Sequence, residues 1–195
     1  MNYCSACGAR AISKWCDADN RARYVCTGCG KIHFENPKVL VACLAHSEGR
    51  IVMCRRAHAP AAGLWVPPSG FVEMGETLEA AATREAAEEA GLEVDAADLI
   101  PCAITSLPHL SEIYITFRVA VAKPELTAGA ESLDVALFDE NDVPWDELAF
   151  PGTQNFLRIF FRELRSGQFS LHLGMTDGID RARRAYRLSN SGDTP

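Results

Sequence analysis

The chain has 195 residues, 48% of them apolar, and a formal net charge of −7. That size and composition suit one substantial globular domain with a small appendage. No apolar run reaches the roughly 20 residues that a membrane-spanning helix needs, the acidic balance gives no basic footprint for general nucleic-acid binding, and the first residues do not resemble a signal peptide, so a cytoplasmic, reducing compartment is expected.

The chain opens on two cysteine pairs, Cys4-x2-Cys7 and Cys26-x2-Cys29, each followed directly by a glycine, Gly8 or Gly30. Paired units at this separation read as a four-thiolate zinc site. The glycine after each pair permits the tight turn of a knuckle. Two disulfides or unligated thiols are the competing readings. A disulfide framework suits a secreted chain, and nothing here marks secretion. Residues 1–35 are therefore read as a zinc ribbon, bounded by Asn36-Pro37. They carry five Lys/Arg against three Asp/Glu, a net of +2, which leaves −9 on the remainder. Cys16 reads as a free thiol, with a spare zinc ligand as the competing reading. Cys43 and Cys54 lie in apolar strand-like runs and read as small core side chains, and Cys102 shows no pairing pattern.

Residues 38–45 and 51–55 read as strands joined by the turn Ser47-Glu48-Gly49-Arg50. Residues 59–63 are a loop, and Trp65-Val66-Pro67-Pro68-Ser69 leads into a glycine loop beginning at Gly70. A helix follows. Thr77 is its expected N-cap, Glu79 lies in its first turn where the dipole favours negative charge, and Gly91 closes it. With about 100° per residue, Glu88 and Glu89 fall roughly 60° and 40° to either side of Glu85, so the three carboxylates share one arc with Leu78 and Ala82. No lysine or arginine lies in that arc to offset their repulsion. Divalent cations with oxygen ligands would do so.

Beyond the helix, 100–107 and 112–122 read as strands, 127–132 as a loop and 134–138 as a short strand. Residues 155–164 form an amphipathic helix with Phe156, Ile159, Phe160 and Leu164 on one face. Residues 169–173 read as one more strand. Residues 175–195 read as a polar tail with Arg181, Arg183, Arg184 and Arg187 and a disordered end. Strands on both sides of one helix, with a second helix late, predict an α/β fold with a mixed sheet covered on both faces.

The pattern Gly70-x5-Glu76-x7-Arg84-Glu85-x2-Glu88-Glu89-x-Gly91-Leu92 resembles the box of the Nudix hydrolase superfamily. Ala86 departs from it, standing where a larger aliphatic is usual. The resemblance extends over about residues 1–174. It takes in the ribbon, the run from Cys29 to Lys38, Leu64-Trp65, Ser106-Leu107-Pro108-His109, Glu131-Ser132-Leu133-Asp134 and Val143-Pro144-Trp145. These look like zinc-ribbon Nudix enzymes similar to plant FAD and ADP-ribose pyrophosphohydrolases, and more distantly to NADH pyrophosphatases.

The resemblance implies an α/β/α sandwich over residues 36–174 preceded by the ribbon. It implies hydrolysis of a nucleoside diphosphate linked to a group X, with FAD, ADP-ribose or NAD(H) expected, to a nucleoside monophosphate and phospho-X. Glu85, Glu88 and Glu89, with the Gly70 carbonyl, would hold Mg²⁺ or Mn²⁺. Arg84 would brace the helix against the loop through Glu76. Glu131 is the expected loop base, ahead of Asp134 and Glu112, and Glu73 is a further possible ligand. A base would stack on an aromatic ring, with Trp65, Phe71, Tyr114 and Phe34 as candidates and core packing as the competing reading of each; His109 is a candidate contact to phosphate or ribose, against an incidental loop histidine. A structural Zn²⁺ and a homodimer are also implied.

Two other functions compete. One is a nucleotide-sensing module without catalysis, which has no need of the intact glutamate trio. The other is an RNA cap-removing hydrolase that uses the ribbon. The ribbon's small charge and lack of interleaved aromatics argue against single-strand binding and for a structural or dimerisation role.

Overall fold

The computed structural model describes residues 1–176 and the backbone of 187–190. The chain divides into two units, Met1–Pro37 and Lys38–Pro195. In the first, β1 (Ala11–Cys16), β2 (Arg21–Cys26) and β3 (Ile32–His33) form an antiparallel sheet in the order β1-β2-β3. The cysteine pairs sit in knuckles closed by Gly8 N–H to Cys4 O at 3.0 Å and Gly30 N–H to Cys26 O at 3.2 Å. Both glycines take positive φ, 73° and 72°, which other residues rarely adopt. Tyr3, Trp15 and Phe34 are exposed, and the Arg23 guanidinium lies 4.8 Å from the centre of the Phe34 ring.

The second unit is a nine-stranded mixed sheet between two helices. Its strands are β4 (Lys38–Ser47), β5 (Arg50–Arg56), β6 (Trp65–Val66), β7 (Ser69–Phe71), β8 (Ile100–Leu107), β9 (Glu112–Ala120), β10 (Ser132–Phe138), β11 (His172–Met175) and β12 (Arg187–Asn190). The main path runs β10-β5-β4-β9-β8-β11-β12, with β4–β9 and β8–β11 parallel. The helices are α1 (Leu78–Ala90) and α2 (Pro151–Ser166).

The β4–β5 hairpin is a fork. Near its turn the two strands pair at His46–Ile51 and Ser47–Arg50. Further out they part. β7 takes the open edge of β4 and β6 the open edge of β5, so the segment running into the glycine loop is wedged between the prongs.

Alternation along the strands sorts the core into two layers. Val41, Cys43, Ala45, Val52, Cys54, Phe117 and Val119 pack with Ala81, Ala82, Ala86 and Ala90 of α1. Leu44, Ile51, Met53 and Ala103 pack with Phe156, Leu157, Phe160 and Phe161 of α2. Each large side chain buried there contributes about 1.5–3 kcal/mol. Cys43, Cys54 and Cys102 are buried free thiols, pushed up to about 12 by burial.

The α/β/α sandwich matches the expectation, with local differences. Pro151 starts α2 four residues before the expected 155, since proline is well suited to a first helical turn. β12 lies inside the stretch read as a polar tail and pairs antiparallel with β11. Arg181, Arg183, Arg184 and the disordered end fall outside the described residues. No helix among the described residues is long and apolar enough to cross a membrane.

Candidate active site

Helix α1 forms where its caps direct. The Thr77 side chain accepts the Ala80 N–H at 3.2 Å, and Gly91 ends the helix at φ 63°. The loop after β9 docks on the last turn. Thr127 N–H donates to Ala90 O at 2.8 Å and Gly129 N–H to Glu89 O at 3.2 Å, satisfying carbonyls the helix leaves free. Only glycine fits at 129, because a Cβ would meet Glu88 O at 1.6 Å.

Glu85 and Glu89 face the fork and are buried, at 8% and 6% exposure, whereas Glu88 is exposed. The Glu85 carboxylate presses on the β7 backbone, where a Cβ at Gly70 would come 2.1 Å from Oε1. Glu89 Oε2 accepts the Ser69 N–H at 2.8 Å. Burial pushes both carboxyls above the usual range, Glu89 to about 7, with the Ser69 N–H pulling the other way.

Arg84 lies roughly 100° from Glu85 around the helix, yet its long side chain folds back over the acids. Nη1 donates to Glu85 Oε1 at 2.7 Å and Glu88 Oε2 at 3.1 Å. Nε and Nη2 clamp both oxygens of Glu76 at 2.7 and 3.0 Å, and Nη2 also reaches Phe71 O at 3.0 Å. The expectation that no basic group offsets the three carboxylates is thus overturned. Glu85 and Glu88 share a guanidinium, and Glu89 turns to Ser69.

Gly70 stands opposite Val41 in the β4–β7 ladder. The bonds Val72 N–H to Val39 O and Cys43 N–H to Pro68 O flank it at two-residue intervals. Gly70's own amide groups therefore point into that ladder, and Ser69's point away, toward Glu89. Ser69 and Arg56 were not singled out from sequence. The Arg56 charge stabilises ionised Glu89. No local pattern marks either residue, because the fork alone brings them to the acids. Glu131 is exposed, and its charge acts on both Glu85 and Glu89. Its backbone is pinned by Ala57 N–H to Glu131 O at 2.9 Å. Glu73, by contrast, turns its N–H to Glu76 at 2.9 Å.

The expected aromatic candidates separate. Trp65 is core, 7% exposed and edge-on to Phe138 with ring centres 4.9 Å apart, so as a stacking residue it is corrected. Phe34 belongs to the ribbon unit. Phe71 is exposed with Lys38 Nζ 4.9 Å from its ring centre. Tyr114 and His109 line a cavity of about 130 Å³ on the α2 face, together with Thr105, Thr116, Phe150 and Thr176.

In the ribbon, the sulfurs of Cys4, Cys7, Cys26 and Cys29 all lie within 4.8 Å of one another. Cys4–Cys29 is 3.8 Å and Cys7–Cys26 3.4 Å. Four thiolates about 2.3 Å from one tetrahedral zinc stand about 3.8 Å apart, so the cluster fits that ion. The Cys29 and Gly28 amides help pull the Cys26 thiol down to about 6. His33 Nε2, 3.3 Å from Cys4 Sγ, is a partner that sequence reasoning missed.

Comparison with known proteins agrees with this geometry. The crystal structure of a NUDIX hydrolase from Nitrosomonas europaea superposes with a TM-score of 0.84 at 39% identity, covering 90% of this chain and 98% of that one. An ADP-ribose pyrophosphatase from Methanocaldococcus jannaschii is 34% identical over 119 residues, 59% of this chain and 68% of that protein. The NAD-capped RNA hydrolase NudC of Stutzerimonas stutzeri is 26% identical over 159 residues, 80% of this chain but only 53% of its own length. The family model for the NUDIX domain matches residues 35–164, and that for the Nudix N-terminal zinc ribbon matches 2–35. A match to the two family models across most of the chain makes this protein a member of the Nudix hydrolase family.

Proposed function

We propose that this chain hydrolyses the pyrophosphate bridge of ADP-ribose or a related nucleoside diphosphate-X compound, NAD(H) and FAD included, to a nucleoside monophosphate and phospho-X. The observation that carries this reading is the pair of buried carboxylates, Glu85 and Glu89, set against the β7 backbone with Glu88 beside them. The name of the M. jannaschii relative supports ADP-ribose as the first substrate to try.

The donor set suits Mg²⁺ or Mn²⁺: hard carboxylate oxygens, two of them held out of water at a cost that a cation offsets. Glu85, Glu88 and Glu89 would hold it. For a backbone ligand we propose the Ser69 carbonyl in place of Gly70's, a reading supported by the β4–β7 register, which turns Gly70's amide groups toward β4. When bound, a divalent cation there neutralises charge on the phosphate oxygens and lowers the pKa of attacking water. Arg84 fixes the rotamers of Glu85 and Glu88 while anchoring the loop through Glu76. Glu131 orients the attacking water and takes its proton, from a loop tied to α1 and β5.

Incubation of the purified chain with ADP-ribose, NADH and FAD, with and without Mg²⁺, tests this by chromatography of the nucleotide products. Metal-dependent AMP release is expected. Tight ADP-ribose binding without AMP release would mark a sensor and end the hydrolase reading. A second reading, removal of an NAD cap from RNA, is favoured by the NudC relative and by the exposed Tyr3, Trp15 and Phe34. NAD-capped RNA belongs in the same panel. The homodimer is proposed from the resemblance and is read by light scattering.

A further inference from the structure

The ribbon unit has almost no core. Of residues 1–37 only Cys4, Ala11, Cys26 and His33 are buried. A unit this small cannot hold its fold by apolar burial alone and needs a metal or its equivalent. Yet one of its few buried positions is given to an imidazole, where an aliphatic side chain would bury more apolar surface at no polar cost. His33 stands on the two-residue strand β3, opposite Tyr24 of β2, and is 6% exposed.

The Nε2 atom of His33 accounts for that choice. It lies 3.3 Å from Cys4 Sγ. Among the described residues, the side chains of the ribbon that could share one ion are the four cysteines alone, so His33 stands outside the set of metal ligands. A thiolate on zinc has lone pairs and no proton, so it can only accept. The ring nitrogen that faces it must therefore carry the proton and donate.

The charge on the cluster gives that bond its weight. Four thiolates around one Zn²⁺ leave two negative charges uncompensated. Among the described residues no Lys or Arg donates to any of the four sulfurs. The backbone supplies Ala6 N–H to Cys4 Sγ at 3.4 Å, and the N–H groups of Gly28 and Cys29 to Cys26 Sγ at 3.3 Å. His33 is the one side chain outside the cysteines that joins them. A buried charge is costly unless hydrogen bonds meet it, and bonds to an ionised acceptor are the stronger kind.

We infer that His33 retains the zinc from outside its coordination shell, by donating Nε2–H to the Cys4 thiolate. This rests on the reading of the four cysteines as a zinc site. The bond draws off part of the negative charge on a buried sulfur. It also ties β3 to the first knuckle, two elements that share no backbone hydrogen bond among the described residues. His33 is thus a positioning residue that acts on the metal through one of its ligands. A histidine that only filled core volume would be replaceable by phenylalanine with no change at the metal.

The test compares the full wild-type chain with three variants. His33→Phe keeps a ring and loses the N–H, His33→Gln carries an amide that reaches about as far as Nε2, and the amide of His33→Asn stops short. Two quantities are read: zinc affinity, by competition with a chromogenic chelator, and the sulfur-to-metal charge-transfer band after Co²⁺ replaces zinc. His33→Phe and His33→Asn should bind zinc about tenfold or more weakly, the usual loss when a hydrogen-bond partner of a metal ligand is removed. Their cobalt band should move to longer wavelength, because the Cys4 sulfur becomes more electron-rich. His33→Gln should restore both. If His33→Phe does not fold, the comparison of Gln with Asn decides, since the two amides differ in reach. Wild-type affinity and band in folded His33→Phe or His33→Asn, or His33→Gln no better than His33→Asn, overturns the assignment while the zinc reading stands. A wild type that binds neither zinc nor Co²⁺ overturns the zinc reading and the role of His33 with it.

Discussion

Glu85 occupies the space that a side chain at Gly70 would need, with a Cβ there only 2.1 Å from its Oε1. Gly70→Ala must therefore displace the carboxylate or push β7 off β4. Overpacking of this kind costs about 1–3 kcal/mol. The variant should melt lower and lose kcat by at least tenfold, read by steady-state kinetics and thermal unfolding. Wild-type kinetics in Gly70→Ala would show that Glu85 need not be where it stands.

The clamp between Arg84 and Glu76 has a pH signature. The guanidinium holds the Glu76 carboxyl well below its usual 4.5, at about 2. A depressed carboxyl contributes stability above its unfolded pKa and loses it as pH falls. Between pH 4.5 and 2 the wild type should therefore lose stability more steeply than Glu76→Gln, compared by denaturant titration at each pH. Parallel curves would mean that the clamp is energetically silent.

Both the helix and the ribbon were legible before the fold was seen, because their signals are local. Thr77 and Gly91 bracket α1 through caps that each involve a few neighbouring residues, and glycines after the cysteine pairs mark the knuckles. What escaped was non-local or depended on side-chain reach. A helical wheel puts Arg84 outside the acidic arc, yet its side chain is long enough to return to Glu85 and Glu88. Ser69 meets Glu89 only because the hairpin opens and β7 fills the gap. Trp65 looked available for stacking, but pairing of β6 with β5 carries its ring into the α2 core. The cavity draws on β4, β8, β9 and α2 together, and no sequence window contains it.

Burial raises the Glu89 carboxyl to about 7. The protonated folded form is favoured, so this stability is present below pH 4.5 and lost as pH rises through about 7, on the order of 3 kcal/mol. A cation needs the ionised carboxylate, so binding competes with that proton. Mg²⁺ should raise the melting temperature more at pH 8 than at pH 5, in scanning calorimetry with saturating metal. An equal shift at both pH values would place the metal away from Glu89.

The four gathered thiolates predict one tightly held zinc per chain. Elemental analysis of protein purified without added metal should find it, and Cys26→Ser should lose it and unfold the ribbon, since metal binding and folding are one equilibrium in small sites. A zinc-free, fully folded wild type would contradict this.

The most direct measurement is the rate of AMP release from ADP-ribose with Mg²⁺ by the wild type and by Glu88→Gln. Metal-dependent turnover in the wild type and a loss of about two orders of magnitude or more in the folded variant are expected. Undiminished turnover in Glu88→Gln, or no AMP from the wild type, would contradict a hydrolase working through these carboxylates.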